Sequence, residues 1–448
     1  MSGSPNDTIF ALSSAPGRAG VTVFRLSGSR AKHVVEAMIS TPCPKPRYAA
    51  LRKLYNKDSV LIDEGLVLWM PGPNSFTGED CVEFQTHGSP AVIELMATAF
   101  LSAGARQAEA GEFTRRAFEN GKMDLTEAEG LADLIDAETE GQRKQALRQM
   151  QGGLRGIYEE WKETLLDALA QIEGEIDFPD EQDIPDALSH KAYPYLQRVI
   201  EAMEKGLLEA DKGEAIRHGV EIAIIGRPNA GKSTLLNALA RREAAIVSSE
   251  AGTTRDIVSI NTVLSALPVR LSDTAGLRQT ENAVEAEGVK RALKLAKQAD
   301  LRIGVIDSSD YSGLVDLMDE LESDDILVFN KSDLAKAPIP NVSRETLSLL
   351  SVNSAEVSDI ERLRSVLEAE VVARFSVGDE AGLTRARHKD CVARATLALN
   401  RGAGNLGIAP ELAADDIRSA LHALKELAGE TDIESVFDRI FSRFCVGK

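Results

Sequence analysis

The sequence predicts a multidomain chain of the α/β and α classes. An N-terminal α+β domain comes first, then a helical domain in two separated segments, with an α/β domain inserted between them. Three observations predict this. Residues 1–118 mix short β-like runs with turn chemistry. Residues 126–214 and 380–444 carry apolar side chains at helical spacing. From residue 221 to residue 375, strand-like runs alternate with helical ones, the mark of a parallel sheet with crossover helices.

Within the first segment, residues 21–26 (VTVFRL), 65–70 (GLVLWM) and 82–85 read as strands. Residues 71–80 (PGPNSFTGED) form a Pro/Gly/Asn-rich loop, and 91–103 read as a helix. The texture changes near Lys122. Residues 126–151 and 154–176 are rich in Ala, Leu, Glu and Gln, and FPDEQDIPD (178–186) stops the pattern with prolines and acids. A third long helix is expected over 187–214, and helices return after 380. The resulting domains are 1–118, 119–215 and 376–448 (the two parts of the helical domain), and the inserted 216–375. The alternative topology has two separate helical domains, but sequential elements usually neighbour one another in space.

Composition sets outer limits. The chain has 448 residues, of which 43% are apolar, 27% charged and 5% aromatic, the balance of a globular protein dominated by helices. A formal net charge of -19 repels polyanions, so any nucleic-acid contact needs a local basic patch or a basic partner. Cys43, Cys81, Cys391 and Cys445 form no CxxC pair and no zinc-spaced cluster, which fits a reducing compartment. The N-terminus lacks the pattern of a secretory signal, and no apolar run reaches membrane-spanning length. A cytoplasmic location without membrane attachment is expected.

The inserted segment carries the chemistry. Residues 226–233 (GRPNAGKS) fit GxxxxGK[ST], directly after a strand and before a helix. Backbone N–H groups of Asn229, Ala230, Gly231, Lys232, Ser233 and Thr234 are placed to close on phosphates at a helix N-terminus. Lys232 would reach the β/γ-phosphates, and the Ser233 hydroxyl would bind Mg²⁺. Asp273, Thr274, Ala275 and Gly276 (DTAG) follow a second strand. There Asp273 would hold Mg²⁺ through water, and the Gly276 N–H would sense the γ-phosphate. Asn330, Lys331 and Asp333 belong to NKSD after the strand at 326–329. The Asp333 carboxylate can accept two hydrogen bonds from guanine, a donor pair that adenine lacks. Ser354 and Ala355, in NSA at 353–355, can offer a backbone N–H to guanine O6. Together these motifs resemble the small Ras-like GTPases of the translation-factor-related class, across the whole inserted domain. Thr254 in GTTRD (252–256) is assigned to Mg²⁺ by alignment of that motif, with a structural turn as the other reading.

Leu277 follows DTAG, where Ras has the water-orienting glutamine. Hydrolysis therefore needs another water-positioning group and another positive charge. Asn229 inside the phosphate loop, combined with GTTRD, resembles potassium-stimulated GTPases of the TrmE-Era-EngA-like class. In that likeness Asn229 helps hold K⁺ against the phosphates, much as an arginine finger would. Its other reading is a local turn hydrogen bond. The likeness further implies that Ser248, Ser249, Glu250, Ala251, Gly252 and Thr253 contact the nucleotide, with Ser248, Glu250 and Thr253 among the cation ligands. Ser248 stands where a threonine is common, and a hydroxyl persists. Glu285, in RQTENAVEAE (278–287), falls where the family motif places a catalytic glutamate, with Glu281 and Glu287 as neighbours. Read without the family, all three open a solvated helix. The short polar stretch after Val305 receives no function.

The two ends extend the likeness. The chain begins NDTIFALSSAPGRAGVTVFRLSG (6–28), continues through PGPNSFTGED and GEFTRRAFENGKMDL (111–125), and ends FSRFCVGK (441–448). With the inserted G domain, it resembles the MnmE (TrmE) family of tRNA-modification GTPases, end to end. That resemblance implies an N-terminal folate-binding domain, which also dimerises, and a discontinuous helical domain around the G domain. It implies a homodimer whose G domains meet across a cleft with K⁺ in the interface. It implies a heterotetramer with the flavoprotein MnmG (GidA), which carries FAD and through which tRNA is mainly bound. The implied reaction modifies carbon 5 of the wobble uridine, using the one-carbon unit of 5-formyl- or methylene-tetrahydrofolate. Carried over residue by residue, the folate contacts are Arg25, Glu83, Lys122 and Lys448, where a carboxylate pairs with a pterin edge and cations with the glutamate tail. Alone, Arg25 and Lys122 read as surface ion pairs. Cys445 is a functional thiol in the family reading, and a buried thiol otherwise. CVGK does not suit a prenylation box. The rival functions are a GTP-driven assembly factor, for example for ribosomes, and a scaffold that binds GTP without turnover.

Overall fold

The computed structural model describes residues 7–177, 188–240, 259–273, 297–335, 338–340, 342, 348–375, 382–431, 434–442, 444 and 446–447. Its contacts divide the chain into two units, residues 1–132 with 425–448, and residues 133–424.

The first unit is built on a six-stranded sheet of order β3-β4-β5-β2-β1-β6. The strands are β1 (Ile9–Leu12), β2 (Ala19–Ser27), β3 (Ala50–Tyr55), β4 (Leu61–Met70), β5 (Cys81–Gly88) and β6 (Arg106–Gln107). The three strands expected from sequence lie within β2, β4 and β5. The expected helix is Pro90–Ser102, with Pro at its start and the Ser89 hydroxyl accepting from the Val92 N–H. That helix drops Phe100 onto the sheet, with its ring 5.1, 5.5 and 5.2 Å from those of Phe10, Phe24 and Phe84. The C-terminal helix Glu434–Phe441 adds a smaller core in which Phe441 and Phe444 meet Leu125 and Ala128.

In the second unit, the helices Gly153–Asp177 and Ala386–Asn405 both pack on Leu188–His218. Elements from before and after the inserted domain thus pack together, and the helical domain is discontinuous. The continuous helix expected over 126–151 is instead two, Leu125–Asp136 and Glu140–Met150. Thr139 explains the break. Its hydroxyl accepts from the Gln142 N–H while the Gln142 side chain accepts from the Thr139 N–H, a capping box that starts a new helix.

The inserted domain holds a second six-stranded sheet of order β12-β11-β10-β7-β9-β8. Its strands are β7 (Val220–Ile225), β8 (Ser259–Leu264), β9 (Leu267–Asp273), β10 (Leu301–Asp307), β11 (Ile326–Asn330) and β12 (Ser348–Val352). All neighbours are parallel except the β8–β9 hairpin. The central strands are buried on both faces, as their unbroken apolar runs require. The carboxyl ends of β7, β9, β10, β11 and β12 therefore deliver residues 226, 273, 307, 330 and 353 to one edge of the sheet.

Candidate active site: a phosphate loop locked to a base-reading loop

The loop after β7 turns back on itself through left-handed residues. Gly226 has φ +143°, and a Cβ there would lie 2.2 Å from the Val305 carbonyl oxygen. Gly231 has φ +96°, and its Cβ would lie 2.1 Å from Asn330 Nδ2. Asn229 adopts φ +64°, a conformation Asn tolerates better than most residues. The helix Lys232–Ala240 then begins, so the free N–H groups of its first turn face the loop.

Lys232 is 4% exposed, and its ammonium donates to the carbonyls of Gly226 (2.6 Å) and Arg227 (2.8 Å). Burial pushes its pKa down, and the nearby Asp273 carboxylate partly offsets this. The Ser233 hydroxyl donates to Asp273 Oδ2 at 2.5 Å, and Asp273 is buried. A hydroxyl and a carboxylate at this spacing beside a phosphate loop are the hard oxygen donors Mg²⁺ takes, so the residues fit that ion.

The base-reading loop grips the phosphate loop from behind. The fully buried Asn330 donates through Nδ2 to the Ala230 carbonyl at 2.9 Å. The Lys331 ammonium donates to the Asn229 carbonyl at 2.8 Å and to Asp307 Oδ2 at 2.6 Å. Burial opposes ionisation of Asp307, but its bonds from Lys331 and Ser309 outweigh this and lower its pKa to about 2. Asp333 stands exposed on the short turn Ser332–Leu334. In the loop after β12, the Ala355 N–H donates to Asn353 Oδ1 at 3.1 Å, and the Asn353 N–H to Asp359 Oδ2 at 2.7 Å. That Asx turn fixes Ser354 and Ala355 at the end of β12, the strand paired with β11, which leads into the turn of Asp333.

The structure thus brings together Asn229, Ala230, Gly231, Lys232, Ser233, Thr234, Asp273, Asn330, Lys331, Asp333, Ser354 and Ala355 at one sheet edge. Ser248, Ser249, Glu250, Ala251, Gly252, Thr253, Thr254, Thr274, Ala275, Gly276, Leu277 and Glu285 lie outside the described residues. Asp307 was missed by sequence reasoning. The available signal was an acid closing the apolar run 303–306.

The other unit holds a second candidate site. The β2–β5 register sets Arg25 opposite Glu83. The guanidinium donates twice to Glu83 Oε1, at 2.9 and 3.1 Å, and lies 5.1 Å from the ring centre of Phe76. Lys122 donates to the Pro73 carbonyl at 3.0 Å. Pro73 and Phe76 both belong to the 71–80 loop, so that loop brings Lys122 and the Arg25–Glu83 pair into one neighbourhood. A planar cation, a carboxylate and an aromatic face together can hold a flat heterocycle that carries donors and acceptors. The loop is anchored by a group the sequence reading did not single out, Arg116. It is 7% exposed and pairs with Asp7 (2.6 Å), Glu79 (3.1 Å) and Glu112 (3.0 Å). The doubled arginine of GEFTRRAFEN was the visible signal. Cys445 and Lys448 lie outside the described residues, but their neighbours are placed. Val446 bridges to Ala110, and the Gly447 carbonyl accepts from the Ser13 hydroxyl at 3.1 Å. The preceding Leu12 is paired with Phe24, next to Arg25.

Residues 125–445 match the model of the MnmE helical domain, and residues 8–122 match that of the GTP-binding protein TrmE N-terminus. The tRNA modification GTPase MnmE of Maricaulis maris is 53% identical over 99% of this chain and 100% of its own length. That of Phenylobacterium zucineum is 45% identical with the same coverage. Among solved structures, the FeoB G-domain from Methanococcus jannaschii aligns at 23% identity over 34% of this chain and 97% of its own. Its TM-score of 0.25 is an overlap that adds nothing to the fold described above.

Proposed function

The chain belongs to the MnmE family of tRNA-modification GTPases, and from that premise we propose that it hydrolyses GTP to drive modification of carbon 5 of the wobble uridine in tRNA. The observation that carries the GTPase half is the lock between the two loops, in which Asn330 and Lys331 hold the carbonyls of Ala230 and Asn229. A base read by Asp333 and phosphates held by the 226–233 loop then belong to one rigid cradle.

In this reading Lys232 and the first-turn N–H groups bind the phosphates, and Ser233 and Asp273 hold Mg²⁺. The magnesium supplies positive charge to the β- and γ-phosphate oxygens. Asn229, Ser248, Glu250 and Thr253 hold K⁺, Thr254 completes the magnesium site, and Glu285 positions the attacking water. Two copies of the chain pair to order these groups. A tetrahydrofolate derivative binds near Arg25, Glu83 and Lys122, with Cys445 and Lys448 close by. The flavoprotein MnmG brings FAD and most of the positive surface for tRNA, in keeping with the net charge of -19 on this chain.

The test is GTP turnover by the purified protein in potassium and in sodium buffer, with ATP as competitor. Turnover that is stimulated by potassium and unaffected by ATP is expected; equal rates in the two buffers contradict the cation assignment. Glu285→Ala should abolish turnover and keep GTP binding. Mass spectrometry of wobble-uridine nucleosides from cells lacking the protein should show loss of the modification, and an unchanged nucleoside profile excludes the tRNA half.

A further inference from the structure

We propose that Asp307 is a positioning residue of the nucleotide site, whose carboxylate holds the Lys331 ammonium against the Asn229 carbonyl and so fastens the base-reading loop to the phosphate loop. The inference rests on the guanine-nucleotide reading above and adds a residue to it.

The two oxygens of Asp307 do different things. Oδ1 accepts from the Ser309 N–H (2.8 Å) and the Ser309 hydroxyl (2.7 Å), shaping the turn after β10. Oδ2 accepts from Lys331 Nζ at 2.6 Å. The same ammonium donates to the Asn229 carbonyl at 2.8 Å. The strand ends do not need this contact to stay together. Asp307 is already paired with Asn330 in the parallel ladder, and the Ser308 N–H donates to the Asn330 carbonyl at 2.9 Å. What Oδ2 adds is a charge that aims one side chain.

The two residues joined through that side chain are both in left-handed backbone, Lys331 at φ +56° and Asn229 at φ +64°. Such conformations persist only when their surroundings hold them. A lysine side chain has many rotamers, and freezing one on a single carbonyl is entropically unfavourable. The carboxylate confines the ammonium to the rotamer that reaches Asn229. This is the residue within the loop that supplies both a phosphate-facing N–H and the candidate cation ligand.

The competing role is turn formation alone, and the two oxygens make the roles separable. Asp307→Asn can keep its oxygen for the Ser309 turn but removes the charge that aims Lys331. Glu and Gln at this position disturb the turn equally and differ only in charge. The experiment measures the Kd and dissociation rate of a fluorescent mant-GDP on the full-length protein. Asp307→Asn is expected to raise Kd about fivefold, chiefly through faster dissociation. In a Lys331→Met background, Asp307→Asn should cause no further loss, because the residue acts through that lysine. Asp307→Glu should bind more tightly than Asp307→Gln, which keeps the test valid if Asp307→Asn does not fold. Wild-type affinity in Asp307→Asn, a full further loss in the Lys331→Met background, or equal binding by Glu and Gln overturns the proposal. A wild-type protein that ignores mant-GDP overturns instead the guanine-nucleotide reading beneath it.

Discussion

The two candidate sites are held together by different means. The nucleotide cradle is fastened by side-chain donors onto backbone carbonyls: Lys232 onto Gly226 and Arg227, Asn330 onto Ala230, Lys331 onto Asn229. Its shape depends on where no side chain can stand. The site in the N-terminal unit is fastened by charge on charge, Arg25 on Glu83 and Arg116 on three carboxylates. The first, apart from its Asp307–Lys331 ion pair, should be sensitive mainly to added atoms, the second to removed charges.

The largest effect is expected at Arg116. Arg116→Met takes away the shared partner of Asp7, Glu79 and Glu112 while Arg106 still reaches Asp7 and Glu112. Leaving these half-buried carboxylates short of their buried partner costs about 3 kcal/mol. Hydrogen exchange of amides in β1 and β2 should speed accordingly, while GTP turnover changes little. If protection in those strands were untouched, the charge cluster would not be what secures this unit. Slightly smaller is Gly231→Ala. Its new methyl group would meet Asn330 Nδ2 in a backbone conformation that alanine resists. Nucleotide affinity should fall roughly a hundredfold, equivalent to about 2.7 kcal/mol. Tight binding by that variant would mean that the two loops can separate without loss.

A third change sharpens the contrast at the ligand rather than at the scaffold. Glu83→Ala removes one carboxylate and leaves Arg25 beside Phe76. Binding of a 5-formyl tetrahydrofolate should weaken roughly tenfold, as expected for losing a charged hydrogen-bond partner. Calorimetry on the full-length protein measures this, and unchanged affinity would place the folate pocket elsewhere.

The same difference explains what the sequence disclosed. The nucleotide site was legible because its parts are short motifs that each follow a buried strand, and β7, β9, β11 and β12 occur where those motifs need them. The edge strand β8 was not. Its turn is made by Ser265 and Ala266 at positive φ, where the Asn-Gly signal of a tight hairpin is absent. The break at Thr139 was hidden because helical periodicity resumes in phase after it, and only the cap chemistry marks the boundary. In the N-terminal unit, β1 and β3 escaped notice. Resemblance alone singled out Arg25 and Glu83, because the pairing of two residues 58 positions apart depends on strand register. Asp307 was passed over for a related reason. Its partner lies on the neighbouring parallel strand, and nothing local to 305–310 names it.

The smallest effect concerns acid. In the N-terminal cluster, burial raises the pKa of both Asp7 and Glu112, yet the bonds and charges of Arg106 and Arg116 outweigh it and leave both below the usual carboxylate range. A carboxylate lowered on folding stabilises fully above its unfolded pKa and loses that contribution as pH falls through the folded value. The N-terminal unit should therefore hold its stability down to the ordinary carboxylate range near pH 4, then lose it progressively below that point. Trp69 sits in β4 and Trp161 in the other unit, and these are the chain's two tryptophans. In a Trp161→Phe background, Trp69 emission therefore reports on the N-terminal unit alone. Arg116→Met should flatten the acid-dependent part of its denaturation midpoint, because its carboxylates no longer gain as much from being charged when folded. A slope of unchanged steepness would show that Arg106 alone accounts for the lowered values, and that the charge-on-charge fastening of this unit is centred six residues from the 112–119 helix rather than within it.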